Sequence, residues 1–401
     1  MVTGLGAVSA AGWGVAPLRR ALCSGRTLIG PFDRLDHARQ RTHVAGQVPS
    51  GPTAGGDDLS TRDLSIADRF AIFAAMEAVA DAELALPLDG ARVGVFFGST
   101  TGGLYETERY LEAIVRRPDS RPPRSLLVSH SLGAPAEAVA RHLGIEGPVE
   151  TVSSACCSGG LAIEQALRAV RSGEVDVALA GGADVLCLTT YSGFNALRAV
   201  ADGPCRPFRA DRSGMSLGEG GATLVLESLD HLRSRAGRAL AELLGAGSSC
   251  DASHMTAPHA GGLGAAQAIE RSLEDSGIGP GDVDLINAHA TGTPLNDAAE
   301  SAAFARVFGD RASAIPVEAT KGMLGHLLGT AGAIEAVSAV IGLLEKQVHP
   351  TSGGDGVDPA LSVRLVHDAP LPMPELRTVL SVSLGFGGAN AAVVLRETEG
   401  P

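Results

Sequence analysis

No C-x-x-C pair occurs among the six cysteines of this chain, Cys23, Cys156, Cys157, Cys187, Cys205 and Cys250. That excludes a zinc ribbon and a thioredoxin-type redox motif. His254 and His259 stand five apart, and the remaining histidines give no ligand spacing, so no metal is expected. There is no excess of basic charge either. The formal net charge is −13, which speaks against a nucleic-acid partner, since phosphate binding wants a basic face. The start, MVTGLGAVSA, has no basic region before an apolar run and is not expected to be a secretory leader. No apolar stretch reads as long enough to span a bilayer, so no membrane contact is expected. No period of 20–50 residues marks a solenoid, and no segment is of low complexity. A chain of 401 residues does not need disulfide staples. Reduced thiols and a cytoplasmic location are therefore expected.

What is present is glycine and apolar sequence. Fifty-two glycines imply many tight turns and close backbone approaches, and 45% hydrophobic residues supply a large core. The chain alternates strands with helices. VTGLGAVS and VDVALAGGADV read as buried strands, the second covered on both faces. Apolar residues recur at helical spacing over 66–82 (Ile72, Ala75, Met76, Val79) and over 158–172 (Ile163, Ala166, Leu167, Val170). Further helices are expected over 265–277, over 297–308 and through TAGAIEAVSAVIGLLEKQ. Residues 114–125 read as a Pro- and Arg-rich surface loop, and 202–221 as a long loop of the functional kind. The pattern is α/β with largely buried sheet, and a break near 240 splits it in two.

Three places carry chemistry. In SSACCSGG, 153–160, two cysteines sit where a strand hands over to a helix. A free cysteine is usually a small buried hydrophobe. At a helix N-terminus, however, backbone N–H groups and the dipole lower a thiol pKa to roughly 3.5–7.5 in favourable cases and can hold an oxyanion. His289 in NAHATGTP and His326 in KGMLGHLLG both lie in loops before helices. One thiol with histidine points to acyl transfer, and a second histidine to a further task. Lys321 stands in an apolar, Gly-rich setting where it needs a carboxylate partner, and Glu335 follows nine residues after His326. The turn LGFGGAN, 384–390, matches no phosphate-loop spacing and runs into a strand, so no nucleotide is expected.

Taken together, these segments resemble the elongating β-ketoacyl-acyl-carrier-protein synthases, condensing enzymes of the thiolase superfamily. VTGLGAVSAAG, ADRFAIFAAMEA, SSACCSGG, RPFRADRSGMSLGEGG, NAHATGTPLND, ATKGMLGHLLGTAGAIE and SLGFGGANAAVVL are similar to the family's motifs in order, over essentially the whole chain. The resemblance implies a thiolase-like α/β fold. Two pseudo-duplicated βαβαβαββ halves, here 1–240 and 241–401, would form five α-β-α-β-α layers. The register A-C-x-S-G makes Cys156 the nucleophile and leaves Cys157 at a variable position. Initiating synthases carry Cys-His-Asn instead, and chain-length factors lack the cysteine.

The resemblance also implies roles. His289 and His326 would be the catalytic histidines, supported by Lys321 and Glu335 orienting His326. The amides of Cys156 and Phe386 would form the oxyanion hole, with Phe386 as gate. Thr291 and Thr293 would hold pantetheine, and Thr107 would line the acyl pocket. Arg116, Arg117, Arg121, Arg124 and Arg206 are expected to meet an acidic acyl carrier protein. No free cofactor is expected, because substrates ride on the carrier's phosphopantetheine. The partner is either a second copy or a chain-length factor. A fatty-acid synthase, a type II polyketide ketosynthase and a non-catalytic structural subunit are the three readings. Ala290, Ala389 and Arg209 depart from the family pattern, which has glycine, threonine and, commonly, aspartate there.

Overall fold

The computed structural model describes residues 1–51, 64–85, 92–354 and 356–398. Five strands build the first sheet: β1 (Val2–Ser9), β2 (Val93–Gly98), β3 (Val149–Val152), β4 (Val177–Asp184) and β5 (Gly220–Glu227). Five more build the second: β6 (Glu242–Cys250), β7 (Leu285–Asn287), β8 (Pro316–Glu318), β9 (Thr378–Leu384) and β10 (Ala389–Arg396). The order across the first sheet is β3-β2-β4-β5-β1, with Gly12–Trp13 outside β1. The order across the second is β8-β7-β9-β10-β6, with Arg364–Leu365 outside β8. In both sheets the first three strands run parallel, and the fourth and fifth each reverse. One topology thus occurs twice.

The helices fill three layers. α1 (Ile66–Asp81) and α3 (Ala134–Leu143) cover the outer face of the first sheet. Between them in sequence lies α2 (Leu104–Arg116). α4 (Ser158–Ser172) and α7 (Ala331–Glu345) lie between the sheets, while α5 (Leu263–Ser276) and α6 (Pro294–Phe308) cover the second sheet. The result is the five-layered α-β-α-β-α architecture.

Local chemistry sets the helix ends. Ser65 caps α1 through a reciprocal box, its hydroxyl accepting the Asp68 N–H at 3.1 Å and its own N–H donating to Asp68 at 2.8 Å. α4 and α5 stop at Gly173 and Gly277, both left-handed. Two expectations need correction. Met76 is 41% exposed and meets His142 on the surface, because α1 buries mostly small residues on several faces rather than one apolar stripe. Residues 114–116 belong to α2, held by the Glu112–Arg116 pair one turn apart, and only Pro118 ends it. A third concerns Leu328–Glu345, which is long and apolar enough to cross a membrane by length and composition. Its window is 89% buried between the two sheets, and this accounts for its apolarity.

The middle layer is packed backbone on backbone. A Cβ on Gly159 would lie 2.8 Å from the Ala333 nitrogen, and one on Gly332 2.7 Å from the Gly160 nitrogen. Only glycine lets α4 and α7 cross this closely. Gly332→Ala is accordingly expected to cost about 1–3 kcal/mol in denaturant unfolding, as overpacking does. It should also lower turnover, because the helices behind Cys156 and His326 must separate. Unchanged stability and turnover would show that the crossing can relax.

Candidate active site

Cys156 sits in the turn between β3 and α4, two residues before the helix begins. Ala155 before it has φ +47°, a left-handed conformation uncommon for alanine. Ser158 braces the turn. Its hydroxyl donates to the Ala155 carbonyl at 2.6 Å and accepts the Ser154 N–H at 2.9 Å. The Phe386 N–H, on the turn between β9 and β10, is directed at the Cys156 sulfur. Cys156 is buried, and burial pushes its thiol up to about 11, against the opposing pull of Lys321 and the Phe386 amide. The helix terminus therefore does not dominate as expected. Cys157 is fully buried with its thiol 3.1 Å from the Ser383 carbonyl and 2.9 Å from that of Ala389. It ties α4 to the closing hairpin and faces away from the chemistry.

His289 follows β7. Glu300 of α6 accepts the N–H groups of His289 and Ala290 at 2.6 and 2.8 Å. Ala290 adopts φ +43°, the conformation that explains glycine in the family pattern. Burial pushes the Glu300 carboxyl up to about 8. Asp297, one turn earlier, holds the Phe208 and Gly292 N–H groups at 2.7 and 3.1 Å. His326 lies between the short helix Lys321–Leu324 and α7, and donates its N–H to the Ser216 carbonyl at 2.7 Å.

The two rings and the thiol converge. Cys156 Sγ and one nitrogen of each histidine lie within 4.8 Å of one another, with the rings edge-on at 5.3 Å between centroids. Protonation follows from the neighbours. Lys321 Nζ is 3.1 Å from His289 Nδ1, and an ammonium can only donate, so that nitrogen accepts. His326 Nδ1 accepts the Leu328 N–H at 3.2 Å. Each neutral ring must then carry its proton on Nε2. Burial, helped by Lys321, holds both histidines well below the ordinary imidazole range. His326 Nε2 is buried without a hydrogen-bond partner in the protein. Two neutral N–H donors thus flank one thiol. The same three atoms could be read as metal ligands, but the adjacent Lys321 ammonium would repel a dication.

Lys321 itself pairs with Glu335, as its setting required. The pair is directed at His289 rather than His326, a correction to the expected arrangement. His326 is fixed by backbone instead, so the buried ammonium reaches across to the other ring. Burial pushes Glu335 up to about 7 despite the lysine.

A cavity of about 260 Å³ opens onto the triad, lined among others by Met215, Thr291, Thr293, Leu384 and Phe386. The Thr291 and Thr293 hydroxyls are 2.9 Å apart, and Thr293 also caps α6. Phe386 leans on Phe194 with centroids 5.6 Å apart. Thr107 is not brought to this cavity; its hydroxyl bonds the Gly103 carbonyl and contacts His130, each at 3.1 Å. Arg116, Arg117, Arg121 and Arg124 are exposed, and Arg206 is held by Asp211 and the Gly353 carbonyl. Arg209 is fully buried, with Nη2 3.4 Å from the Thr351 carbonyl. Ala389 opens β10.

Sequence reasoning missed Arg198 at the cavity mouth, Glu300 and Asp184. Asp184 is fully buried and accepts from Ser99, Thr100, Thr101 and, at 2.6 Å, the Gly329 N–H. It anchors the loop carrying His326. Glu300 had a signal, since it falls one helical turn after Asp297. Asp184 had none, because its partners are 83 to 145 residues away.

A thiol held this high should alkylate slowly. Iodoacetamide labelling of Cys156 is expected to rise about tenfold per pH unit up to about pH 10, and Lys321→Met should slow it further. A flat profile above neutrality would mean that the helix terminus outweighs burial.

Comparisons with known proteins agree in one direction. The family model described as Beta-ketoacyl synthase, N-terminal domain, matches residues 1–231, and its C-terminal counterpart matches 240–355. The chain is 38% identical to a putative polyketide beta-ketoacyl synthase 1 of Streptomyces halstedii, covering 100% of this chain and 98% of that one. It is 34% identical to 3-oxoacyl-[acyl-carrier-protein] synthase 2 of Synechocystis, covering 99% and 97%. Among solved structures, the ishigamide ketosynthase/chain length factor aligns with TM-score 0.94 at 33% identity, over 99% and 98% of the two chains. A beta-ketoacyl synthase from Burkholderia phymatum aligns with TM-score 0.91 at 30% identity, over 99% of each. With a thiol and two donor histidines converging in a doubled five-layer fold, the chain belongs to the β-ketoacyl synthase family of condensing acyltransferases.

Proposed function

We propose that this chain elongates acyl chains by decarboxylative condensation, with Cys156, His289 and His326 as its catalytic residues. The observation that carries the reading is the pair of neutral Nε2–H donors beside one buried thiol. The Cys156 sulfur attacks an acyl thioester on a carrier protein; the S–acyl bond forms, and the carrier thiol leaves with the proton. Malonyl thioester then enters, and its carbonyl oxygen accepts from His289 and His326. Its carboxylate departs as carbon dioxide, leaving an enolate whose charge the two donors stabilise. The enolate carbon attacks the acyl carbonyl, whose oxyanion is met by the Cys156 and Phe386 amides. Collapse releases the β-ketoacyl thioester and expels the Cys156 thiolate, which takes up a proton from solvent to restore the thiol. Neutral histidines suit this task, because donors for the enolate must keep their protons.

Lys321 and Glu335 keep His289 in the donor tautomer. Thr291 and Thr293, at the cavity lining, would hold the pantetheine arm, and Phe386 would gate the thiol. No free cofactor is required. The working division is 1–240, carrying the thiol, and 241–401, carrying both histidines. The free cysteines fit a cytoplasmic setting.

A second reading concerns the partner. Several similar structures are described as ketosynthases with a chain length factor or a carrier protein, among them AntDE:AntF and ApeO with ApeC. Among the described residues β3 pairs on one side only, and Leu111, Val115 and Val128, in and just after the segments 104–116 and 124–127 that contact each other, are 54%, 79% and 59% exposed. An unpaired strand edge and exposed apolar side chains both suit a second subunit. We infer a type II polyketide ketosynthase beside a chain-length factor as the alternative to a homodimeric fatty-acid enzyme. Co-purification with a homologous, cysteine-lacking chain distinguishes the two.

Cys156→Ala is expected to abolish acyl-enzyme formation in intact-mass spectra, while Cys157→Ala retains it. Acylation on Cys157 would overturn the assignment. His326→Ala should slow decarboxylation of malonyl-carrier-protein by about 10²–10³-fold, as loss of an oxyanion donor does. Absence of decarboxylation in the unmodified protein would favour a structural subunit. Charge reversal at Arg117, Arg121 and Arg124 is expected to raise KM for carrier-bound substrates without changing kcat. An unchanged KM would remove that loop from the docking surface.

A further inference from the structure

A second convergence of a thiol, an imidazole and a carboxylate lies away from the reaction centre. The helix Val15–Ser24 of the first half brings Cys23 to the C-terminal end of α7, where Glu345 closes the helix and His349 follows four residues on. Cys23 Sγ, a Glu345 oxygen and a His349 nitrogen lie within 4.8 Å of one another. Cys23 Sγ is 3.4 Å from Glu345 Oε2, and His349 Nε2 is 3.6 Å from the same oxygen. The His349 side chain is 3% exposed, and neither ring nitrogen has a hydrogen-bond partner. Its two nitrogens face the Glu318 and Glu345 carboxylates at 3.5 and 3.6 Å, and these ion pairs raise the imidazole to about 9 against its burial.

Those separations have a simple meaning. Ligand atoms bound tetrahedrally at zinc distances are about 3.3–3.8 Å apart. The sulfur–oxygen and nitrogen–oxygen distances here fall in that range. Glu318 completes the pattern from behind, facing His349 Nδ1 as a carboxylate that orients a metal-bound imidazole does. Arg19 Nε donates to the other Glu345 oxygen at 2.6 Å, leaving Oε2 directed inward. The Gln347 amide N–H group reaches both Glu345 Oε2 and, at 3.1 Å, Cys23 Sγ, so it now occupies the position of a cation between them. Cys23 is half-buried and Glu345 16% exposed, which provides a path from solvent.

We propose that Cys23, Glu345 and His349 form a binding site for a divalent transition metal of the zinc type, with water as fourth ligand. Binding forms metal–sulfur, metal–oxygen and metal–nitrogen bonds and releases two protons to solvent, one from the Cys23 thiol and one from His349 Nε2, while Nδ1–H stays directed at Glu318; no electron is transferred. The ion would staple the first-half helix to the end of α7, whose other end is the crossing behind the catalytic residues.

Cobalt(II) is the probe, because a thiolate ligand gives it a charge-transfer band. The chelator-treated full chain is titrated with cobalt, and uptake is counted by elemental analysis. One equivalent with the band is expected in the unmodified protein and in Cys156→Ser, which removes the thiol of the other triad. Cys23→Ser should lose the band, and Glu345→Gln should weaken uptake at least about tenfold. Condensation by Cys23→Ser is expected to stay within about twofold of the unmodified rate, since nothing at the reaction centre changes. Retention of the band in Cys23→Ser, its loss in Cys156→Ser, or no uptake by the folded unmodified protein would each overturn the proposal.

Discussion

Everything at the reaction centre depends on the glycine-lined crossing of α4 and α7. Cys156 precedes one helix and His326 precedes the other, so the separation of the helix axes sets the separation of thiol and ring. With Gly159, Gly160 and Gly332 in contact, neither helix can shift without a backbone clash. The two sheets hold this pair from outside, and the apolar wall of α7 is the inner surface on which both are built.

Burial is the second determinant, and it acts on every titratable group at once. It raises Cys156, Glu300 and Glu335 and lowers both histidines, while a single ammonium, Lys321, acts in the opposite sense on the acids and the thiol. The consequence is a site whose histidines are neutral donors. Their tautomers are set by what touches Nδ1, a lysine in one case and a backbone amide in the other. A dry, preorganised pair of donors is what an enolate intermediate needs.

The same burial explains the buried carboxylates around the site. Asp184, Asp297 and Glu300 each gather several backbone N–H groups from loops that have no regular structure of their own. In a Gly-rich chain, such loops would leave donors unsatisfied inside the protein. A carboxylate with two oxygens answers several donors at once. Ala290 keeps its unfavourable backbone angle because Glu300 holds it from below.

Much of this was legible in the sequence. Strand and helix alternation, the helix-ending glycines and the motif order identified the α/β class and the family and singled out the three side chains that converge, Cys156, His289 and His326, because those features are local or repeat in fixed register. The Lys321–Glu335 pairing was legible too, since a lysine among apolar residues needs a counter-charge. Which histidine that pair serves was not legible, nor was the high pKa of Cys156, because both depend on burial and on side chains brought together across the sheets. Met76 misled for the same reason: α1 is covered on several faces, so periodicity alone could not say which residue stays outside. Cys23 and Glu345 stand 322 residues apart, and no spacing rule can see them meet. Local sequence determined which groups could react; only the packing of two duplicated halves decided their protonation, their partners and their distances.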